Sequence, residues 1–472
     1  MEGYTCPKPE WSGEGYCIFH NPNPDKDHEM FREQLKLQLQ QCFIGFIFPR
    51  RFTFPSIDFH DADFAFSRFC GTADFQNMTF SGKTNFQYAT FHEGANFRGS
   101  RFKADVDFIG SEFTGTAWFN DTILDACIGF ISTHFKGEVW FAGISNAIAD
   151  MTGAIFEKEV HFHNTTFSAS SFIETQFMGI TTFGYFKHMG NRSDIDAASK
   201  APKIVFFEGV DMKHLLFREA DLTRASFSQC YNLDQASFYD CKWNTESGRS
   251  HVLYDELELR GKVEPWEKMA EREIKRRKGK NQINADSNNG VEIQPAQPLL
   301  DVKHSAVEET CRAFKKHFED RRNFLVAGDF HEGEMEMRRL AKGTWGRRFF
   351  SIEAIYWLLS QYGQRWLRPL VCFIVLNLIA ATLYSLTGLQ LEGDSLVIRW
   401  GSNLESSLLF WADSIYIYLQ ALLYSVSVSA LLRGIGATPN HIFGLFVQTV
   451  QFVLGPLLIF LIGLAIRRRL RR

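Results

Sequence analysis

The sequence predicts a β-solenoid followed by a helical hairpin and C-terminal transmembrane α-helices. Three observations lead to this fold class. A phenylalanine recurs every five or six residues through most of the first half of the chain. The spacing of apolar residues becomes helical after residue 250, and roughly the last 105 residues are strongly apolar. A chain of 472 residues is long enough for about three domains.

The phenylalanine series indicates a repeating coil. Phenylalanine supplies 47 of the 472 residues. The steps alternate between six and five residues along Phe69, Phe75, Phe80, Phe86, Phe91, Phe97, Phe102, Phe108, Phe113 and Phe119. This period fits neither a helix face nor strand alternation, so it predicts a solenoid built from units of about five residues. The series is interrupted between Phe141 and Phe156, and the polar stretch 190–203 is predicted to be an inserted loop.

The units themselves carry a family resemblance. Ala73-Asp74-Phe75, Ala95-Asn96-Phe97 and Ala220-Asp221-Leu222 resemble the pentapeptide-repeat unit Ala-(Asp/Asn)-(Leu/Phe)-x-x, and the pattern extends over most of 51–245. The resemblance implies a right-handed quadrilateral pentapeptide-repeat β-helix with four units per coil. Its large residues would point inward and its alanines would fit the corners. The six-residue units lengthen the coil to about 22 residues, and about eight coils would form a rod of about 40 Å.

The charge of this rod bears on its partners. Some pentapeptide-repeat proteins mimic duplex DNA and inhibit topoisomerases. Residues 51–245 contain 23 acidic and 16 basic side chains, and the whole chain has a formal charge of -3. Because this acidic excess is modest, a DNA-mimic inhibitor is the weakest of three functional hypotheses. We expect a rigid spacer or a docking surface for a protein partner, and no nucleic-acid partner.

The N-terminal segment, 1–50, contains a candidate metal set. Cys6, Cys17 and His20 lie close together, and a Cys-x2-His spacing suits tetrahedral zinc. His28 or Cys42 would complete a structural zinc site, or no site exists and the residues are an isolated thiol and a capping histidine. Nine cysteines are scattered and the first residues lack a secretion signal, so we expect a reducing cytosol around the soluble part.

Helical segments are predicted on both sides of the solenoid. A short amphipathic helix over 30–43 is expected to cap its open end, with apolar positions Phe31, Leu35, Leu37 and Leu39. The connector, 246–348, contains a polar stretch, 281–297, which we interpret as a disordered linker. Two helices follow over 302–340. The first has one apolar face, formed by Val307, Cys311, Phe314 and Phe318.

The predicted hairpin also carries clustered acidic residues. Its sequence is similar to a helical hairpin found between pentapeptide repeats and membrane segments. The cluster of glutamates and histidines around Glu332 and Glu334 would suit a carboxylate site or a solvated charged face, and we favour the solvated face.

The last segment, 349–472, predicts a membrane module. Pro369–Leu389 and Ile442–Ile466 are apolar runs long enough to cross a bilayer. A third run, 408–432, is weaker and contains Asp413. Basic clusters lie before the first run and after the last, so both ends are expected in the cytoplasm. Two spans with a re-entrant middle segment satisfy this bias, and the aromatic residues at 345–366 suit an interfacial helix.

This arrangement resembles the two-helix pore domain of potassium-type channels. Arg433-Gly434-Ile435-Gly436-Ala437-Thr438-Pro439 looks like a degenerate Gly-x-Gly-Asp-x-x-Pro filter end. Arg433 precedes the first glycine, the Asp is absent, and serines replace the threonine run, so potassium selectivity is not expected. The alternatives are an anion-tolerant or poorly selective pore and a non-conducting anchor. The pore and filter candidates are Asn377, Ser425, Ser427, Ser429, Arg433, Gly434, Gly436, Gln448 and Gln451.

The polar residues of the spans have two interpretations. Asn377, Gln448 and Gln451 would line a pore or would form hydrogen bonds between helices. The chain has no phosphate-binding loop, no Gly-x-Ser-x-Gly elbow and no His-Glu-x-x-His motif, so we expect no enzyme activity.

Two functional hypotheses follow. The first is a bacterial inner-membrane, multi-pass protein in which a cytoplasmic repeat rod is coupled to a homo-oligomeric, ion-channel-like module in the lipid bilayer. Such a protein would serve as a stress or anti-phage effector. The second is a non-conducting, membrane-anchored scaffold that recruits a protein partner.

Overall fold

The computed structural model of the protein describes residues 16–36, 41–54, 58–144, 148–165, 167, 169–184, 204–246, 248–265, 303–343, 348–391, 397–398, 409–432 and 437–470. The chain divides into two compact units, Met1–Phe318 and Glu319–Arg472. The first unit is a β-solenoid with helices at its ends, and the second is helical.

The solenoid strands form four parallel sheets among the described residues. The first contains Ile47–Phe48, Arg68–Phe69, Thr90–Phe91, Glu112–Phe113, His134–Phe135, Ile155–Phe156 and Gln176–Phe177. The second contains Ala73–Asp74, Ala95–Asn96, Ala117–Trp118, Val139–Trp140, Val160–His163, Thr181–Gly184, Leu215–Arg218 and Ser237–Tyr239. The third contains Thr79–Phe80, Arg101–Phe102 and Ile123–Leu124. The fourth contains Thr84–Asn85, Val106–Asp107, Cys127–Gly129, Ile148–Asp150, Ala169–Ser171, Ile204–Glu208 and Ala225–Ser228.

The strand register confirms the predicted coil length. Arg68 pairs with Thr90 and Thr90 pairs with Glu112, so equivalent positions recur at the predicted spacing. His134 pairs with Ile155, which makes that coil shorter by a single residue. The solenoid makes about seven turns, close to the eight predicted. The right-handed sense and the square cross-section implied by the resemblance stay predictions.

The inward phenylalanine rings form stacked columns, as the spacing predicts. One column has ring-centroid separations of 4.4 to 5.2 Å along Phe48, Phe69, Phe91, Phe113, Phe135, Phe156 and Phe177. A second has separations of 4.7 to 5.1 Å along Phe54, Phe75, Phe97, Phe119, Phe141, Phe162, Phe183, Phe217 and Phe238. These buried rings are the core of the unit.

The break in the phenylalanine series is not a break in the coil. The strand Ile148–Asp150 pairs with Cys127–Gly129, so Met151 occupies the ring position between Phe130 and Phe172. Met151 is buried and fills this position with an apolar side chain of another type.

The predicted inserted loop lies outside the described residues. Phe183 and Phe217, which flank it, are register partners in neighbouring coils. Val160 and Thr181 are register partners in the same way one coil earlier. The coil that contains the insertion is therefore more than half as long again as the coil before it.

Each coil turns at its corners through two local devices. In the five-residue units, the polar residue before the ring accepts a backbone amide two residues later, as Asp74 Oδ1 does from Gln76 at 3.1 Å. The next residue, Asn77, is left-handed with a φ of 57°. In the six-residue units, glycines let coils approach: a Cβ on Gly137 would lie 2.2 Å from the Gly115 carbonyl oxygen. The amide-accepting role recurs at Asp63, Asn85, Asn96, Asp107, Asp150, Asp211 and Asp221.

Helix α1, His28–Lys36, packs beside the first coil. The ring of Phe31 contacts those of Phe48 and Phe52 at 5.5 and 5.2 Å. The predicted end of this helix at residue 43 is wrong, because Cys42 already forms a β-bridge with Asp63. The candidate apolar positions Leu37 and Leu39 lie outside the described residues.

The opposite end of the solenoid is covered by α3. An antiparallel hairpin, Asn244–Glu246 and Arg249–Val252, and helix α2, Tyr254–Leu259, precede it. Helix α3, His304–Asp320, buries Phe314 against the rings of Phe227, Phe238 and Trp243 at 5.3 to 5.4 Å. The predicted apolar face of Val307, Cys311, Phe314 and Phe318 is buried. The predicted linker, 281–297, lies outside the described residues.

The second unit contains five helices among its described residues. They are α4 (Phe324–Leu340), α5 (Ile352–Ser360), α6 (Leu367–Thr387), α7 (Leu409–Ser429) and α8 (Ile442–Leu470). A small antiparallel sheet joins Leu389–Leu391 to Val397–Ile398 and to Ala437–Pro439. This sheet brings the chain after α6 next to the chain before α8.

Candidate functional site

Two described helices are long and apolar enough to cross a membrane. They are Leu367–Thr387 and Ile442–Arg467, and both agree with the predicted runs. This finding rests on length and composition. Helix α7 packs against both of them, and its segment Ser414–Ser429 is apolar but shorter.

Helix α7 ends beside the middle of α6. The Ser429 hydroxyl, on the last residue of α7, donates a hydrogen bond to Asn377 Oδ1 at 3.0 Å. The end is capped, because the Leu432 amide donates to the Ser427 carbonyl at 2.9 Å and Leu431 is left-handed with a φ of 59°. This pattern is that of a Schellman cap, so the helix stops here rather than continuing across the unit.

The chain then returns to the end of α6 within a short distance. Ala437 pairs with Leu391, which lies one helical turn past Thr387, the last residue of α6. On α8, Gln451 faces Ser429, and the stretch of helix back to Ile442 is about 13 Å long at the rise of an α-helix. The segment after Ser429 therefore covers about half the length of a span.

A buried polar network joins the three apolar helices. Asn377 of α6 accepts hydrogen bonds at Oδ1 from the hydroxyls of Ser425 and Ser429, at 2.9 and 3.0 Å. Gln451 of α8 donates through Nε2 to Ser425 Oγ at 2.6 Å, and its Oε1 accepts from the Tyr384 hydroxyl at 2.8 Å. All five side chains are buried. In an apolar surrounding such bonds fix how helices pair, since an unsatisfied polar group is costly there.

Small residues let these helices approach closely. Ala380 and Ala381 of α6 and Ala421 of α7 are buried in one apolar cluster. Gly455 of α8 faces Ser429, because a Cβ on Gly455 would lie 2.5 Å from the Ser429 Cα. The close approach places the network inside a single copy of the chain.

The structure brings together four of the nine pore and filter candidates, namely Asn377, Ser425, Ser429 and Gln451. Ser427 is buried and its hydroxyl donates to the Tyr424 carbonyl of its own helix at 2.7 Å. Gln448 is half-buried. Arg433, Gly434 and Gly436 lie outside the described residues.

A second polar contact region lies where α4 meets the turn between α5 and α6. Gln361 donates through Nε2 to Glu332 Oε1 at 2.8 Å, and Tyr362 donates its hydroxyl to Glu336 Oε2 at 2.9 Å. Arg339 forms an ion pair with Glu336 at 2.7 Å. Burial raises the pKa of the Tyr362 phenol, and the neighbouring Glu336 carboxylate adds to this effect.

The interpretation of the hairpin glutamates as a solvated face is wrong. Glu332, Glu334 and Glu336 are all buried. They are covered because α4 packs against α5, and each carboxylate receives a partner within this unit. The sequence could not reveal this arrangement, since Tyr362 and Gln361 lie far along the chain from their partners.

The N-terminal candidates form a hydrogen-bonded pair rather than a larger set within the described residues. Cys17 Sγ lies 3.1 Å from His20 Nδ1, and the Nε2 atom of His20 lies 3.4 Å from the Ile44 carbonyl oxygen. His28 and Cys42 are exposed, and Cys6 lies outside the described residues. No group of three or more His, Cys, Asp or Glu residues suited to a metal occurs in the described part of the chain. The zinc site stays a prediction.

Comparison with known families supports the repeat assignment. The family model described as pentapeptide repeats (9 copies) matches residues 67–112, which form the middle of the phenylalanine series. The comparison with curated proteins gave no match. The family match and the solenoid agree in the same residues, because the strands Arg68–Phe69, Thr90–Phe91 and Glu112–Phe113 repeat there at the predicted coil length.

Proposed function

We propose that the chain is a non-enzymatic bacterial membrane protein in which a cytoplasmic pentapeptide-repeat rod is coupled to an ion-channel-like module. Helices α6 and α8 cross the inner membrane, with the solenoid and the C-terminal arginines on the cytoplasmic side. Helix α7 enters and leaves the membrane on the other side. The rod binds a protein partner, and the membrane module responds. By analogy, such a protein suits a stress or anti-phage effector.

The observation that carries this proposal is the end of α7. A capped helix that stops at Ser429, beside the middle of α6, supports the re-entrant interpretation. Its last carbonyl groups carry partial negative charge, which is useful at the centre of a pathway for ions. Potassium selectivity is not part of the proposal, because Arg433 immediately follows this segment.

Several copies are needed to shield the segment after α7. Leu431 and Leu432 have left the helix and are exposed within one copy, with 54% and 64% of their surface accessible. Non-helical backbone at membrane depth is stable only where protein or a water-filled cavity surrounds it. We therefore propose a homo-oligomer in which neighbouring copies enclose this segment.

A non-conducting scaffold is the second candidate. It is favoured by the network around Asn377, in which Ser425, Ser429 and Gln451 form their hydrogen bonds within one copy. These residues then join the helices and need no pore to explain them. In this case α6 to α8 anchor the rod, and the rod recruits its partner at the membrane surface.

Ion flux from liposomes separates the two candidates. Purified protein is reconstituted and the release of a trapped ion is followed. Flux that changes in an Arg433→Ala variant supports the channel-like module and the filter assignment. Flux that is unchanged in this variant removes the filter assignment, and a protein that is inert with every ion tested favours the scaffold.

A further inference from the structure

Helix α5 and the residue pair before it expose an unusually apolar surface. Ile352 and Phe350 keep 83% and 82% of their surface accessible, and Leu358 keeps 63%. Ile352, Ile355 and Leu358 follow one another at three-residue spacing, so they share one face of the helix. The other face, with Ala354 and Ser360, is buried. A contiguous apolar surface of this kind marks an interaction site.

The exposed face is held in a defined orientation. Ser351 caps α5, since its Oγ accepts the Ala354 amide at 3.2 Å. After α5, Gln361, Tyr362 and Gly363 are all left-handed, with φ values of 49°, 56° and 76°. Hydrogen bonds from Gln361 and Tyr362 to the α4 carboxylates hold this turn. The apolar face is therefore part of the folded unit and does not belong to a loose strap.

Positive charge accompanies the apolar face. Residues 348–368 contain three arginines and one acidic residue, Glu353, which pairs with Lys342. The guanidinium of Arg368, in the first turn of α6, lies 5.8 Å from the ring centre of Trp357 of α5. Arg365 is exposed in the turn between the two helices. Cationic and aromatic groups next to an apolar helix face fit a lipid surface with negative headgroups.

We propose that α5 is a docking surface for the anionic phospholipids of the leaflet that α6 enters. Its apolar face lies among the upper acyl chains, and Arg365 and Arg368 contact the phosphate groups. The proposal rests on the membrane embedding of α6 and α8 and adds the lipid class that the module binds. A zwitterionic surface would satisfy the apolar face alone, so the arginines make the choice of headgroup.

Site-specific photocrosslinking tests the occupant of this face. The photoreactive p-benzoylphenylalanine replaces Phe350 in the full-length protein, which is placed in nanodiscs of equal parts phosphatidylglycerol and phosphatidylcholine. We expect a lipid adduct by mass spectrometry. A crosslink to a second copy, a crosslink to an added cytosolic protein, or no adduct at position 350 overturns the proposal.

Two matched positions separate this inference from the membrane assignment itself. Phe460, on the exposed side of α8, is expected to give lipid adducts, and Phe66, exposed on the solenoid, is expected to give none. Adducts at 460 without adducts at 350 contradict the inference alone. Absence of adducts at both 350 and 460 contradicts the membrane embedding.

The headgroup choice is read from the same adducts. We expect phosphatidylglycerol to be enriched at least about twofold over phosphatidylcholine at position 350, because counter-charges concentrate near basic residues. The double variant Arg365→Gln, Arg368→Gln should return the ratio to one. The control double variant Arg32→Gln, Lys83→Gln, which removes two exposed charges from the first unit, should keep the enrichment. A ratio of one in the unmodified protein overturns the anionic part of the proposal.

Discussion

The hydroxyl of Tyr362 donates a hydrogen bond of 2.9 Å to Glu336, and both side chains are buried between α4 and the turn that begins α6. The turn is left-handed at Gln361 and Tyr362, a conformation that costs of order 1 kcal/mol or more for each such residue. The carboxylates of α4 therefore hold the first membrane helix in its direction. A movement of α4 would release this turn.

Removing the Tyr362 hydroxyl should loosen the second unit. We expect Tyr362→Phe to destabilise the protein by about 1–3 kcal/mol, since Glu336 remains buried and loses one partner. Thermal unfolding in detergent measures the effect. Tyr231→Phe, at an exposed phenol of the solenoid, is the control and should change little. An equal melting temperature for both variants would show that the bond does not stabilise the turn.

The network at Asn377 can be tested for structure and for conduction. We expect Asn377→Ala to lower stability by about 1 kcal/mol, because Ser425 and Ser429 lose their acceptor. Thr382→Val is the matched control, since the Thr382 hydroxyl bonds only the Leu378 carbonyl of its own helix among the contacts described. Unfolding in detergent and ion flux are measured on the same samples. Unchanged stability with altered flux would favour a pore-lining role over helix pairing.

The phenylalanine columns should dominate the stability of the solenoid. Phe97 is fully buried, and its ring stacks on Phe75 and Phe119 at 5.0 and 5.1 Å. We expect Phe97→Ala to cost about 3–5 kcal/mol through the cavity left behind, and Phe97→Asp to unfold the neighbouring coils. Phe66→Ala, at an exposed ring, should cost far less. Limited proteolysis and circular dichroism would reveal the loss, and equal effects of the two alanine variants would refute the inward stacking.

A buried carboxyl group should make the end of the solenoid sensitive to pH. Burial raises the pKa of Asp255 in α2 to about 7, and the nearby Glu258 and Glu208 carboxylates act in the same direction. The Ser226 hydroxyl and the Phe227 amide oppose this effect. Because the folded state holds this proton more tightly, its stabilising contribution is complete below about pH 4 and is lost as pH rises towards 7.

Asp255→Asn isolates this contribution. The amide resembles the protonated acid, so the variant should be more stable than the unmodified protein at pH 8 and should lose part of the decline between pH 4 and 7. Unfolding of the full-length protein across this pH range provides the measurement. Parallel curves for the two proteins would show that Asp255 does not titrate in this range.

The sequence predicts most of the solenoid because its code is local. The spacing of Phe69, Phe75 and Phe80 contains the coil length directly, and the same reasoning would have placed Met151 had any large apolar residue been accepted. The covering of the last coil by Phe314 was not predictable, since its partner Phe227 lies far earlier in the chain.

The candidate membrane site is intermediate in this respect. Polar residues in apolar helices, such as Asn377 and Gln451, are visible in the sequence as exceptions. Their choice of partners depends on how the helices cross, which no local pattern contains. The burial of Glu336 was mispredicted for the same reason, since charge is a poor guide when a distant phenol supplies the hydrogen bond.

The register between Phe183 and Phe217 has a practical meaning. A segment longer than half a coil leaves and rejoins the wall here, while the strands on both sides stay in step and their rings remain stacked at 5.0 Å. The rod thus tolerates extra polypeptide at this corner. A tag, a reporter or a foreign epitope grafted between these two rings should be displayed without disturbing the assembly beneath it.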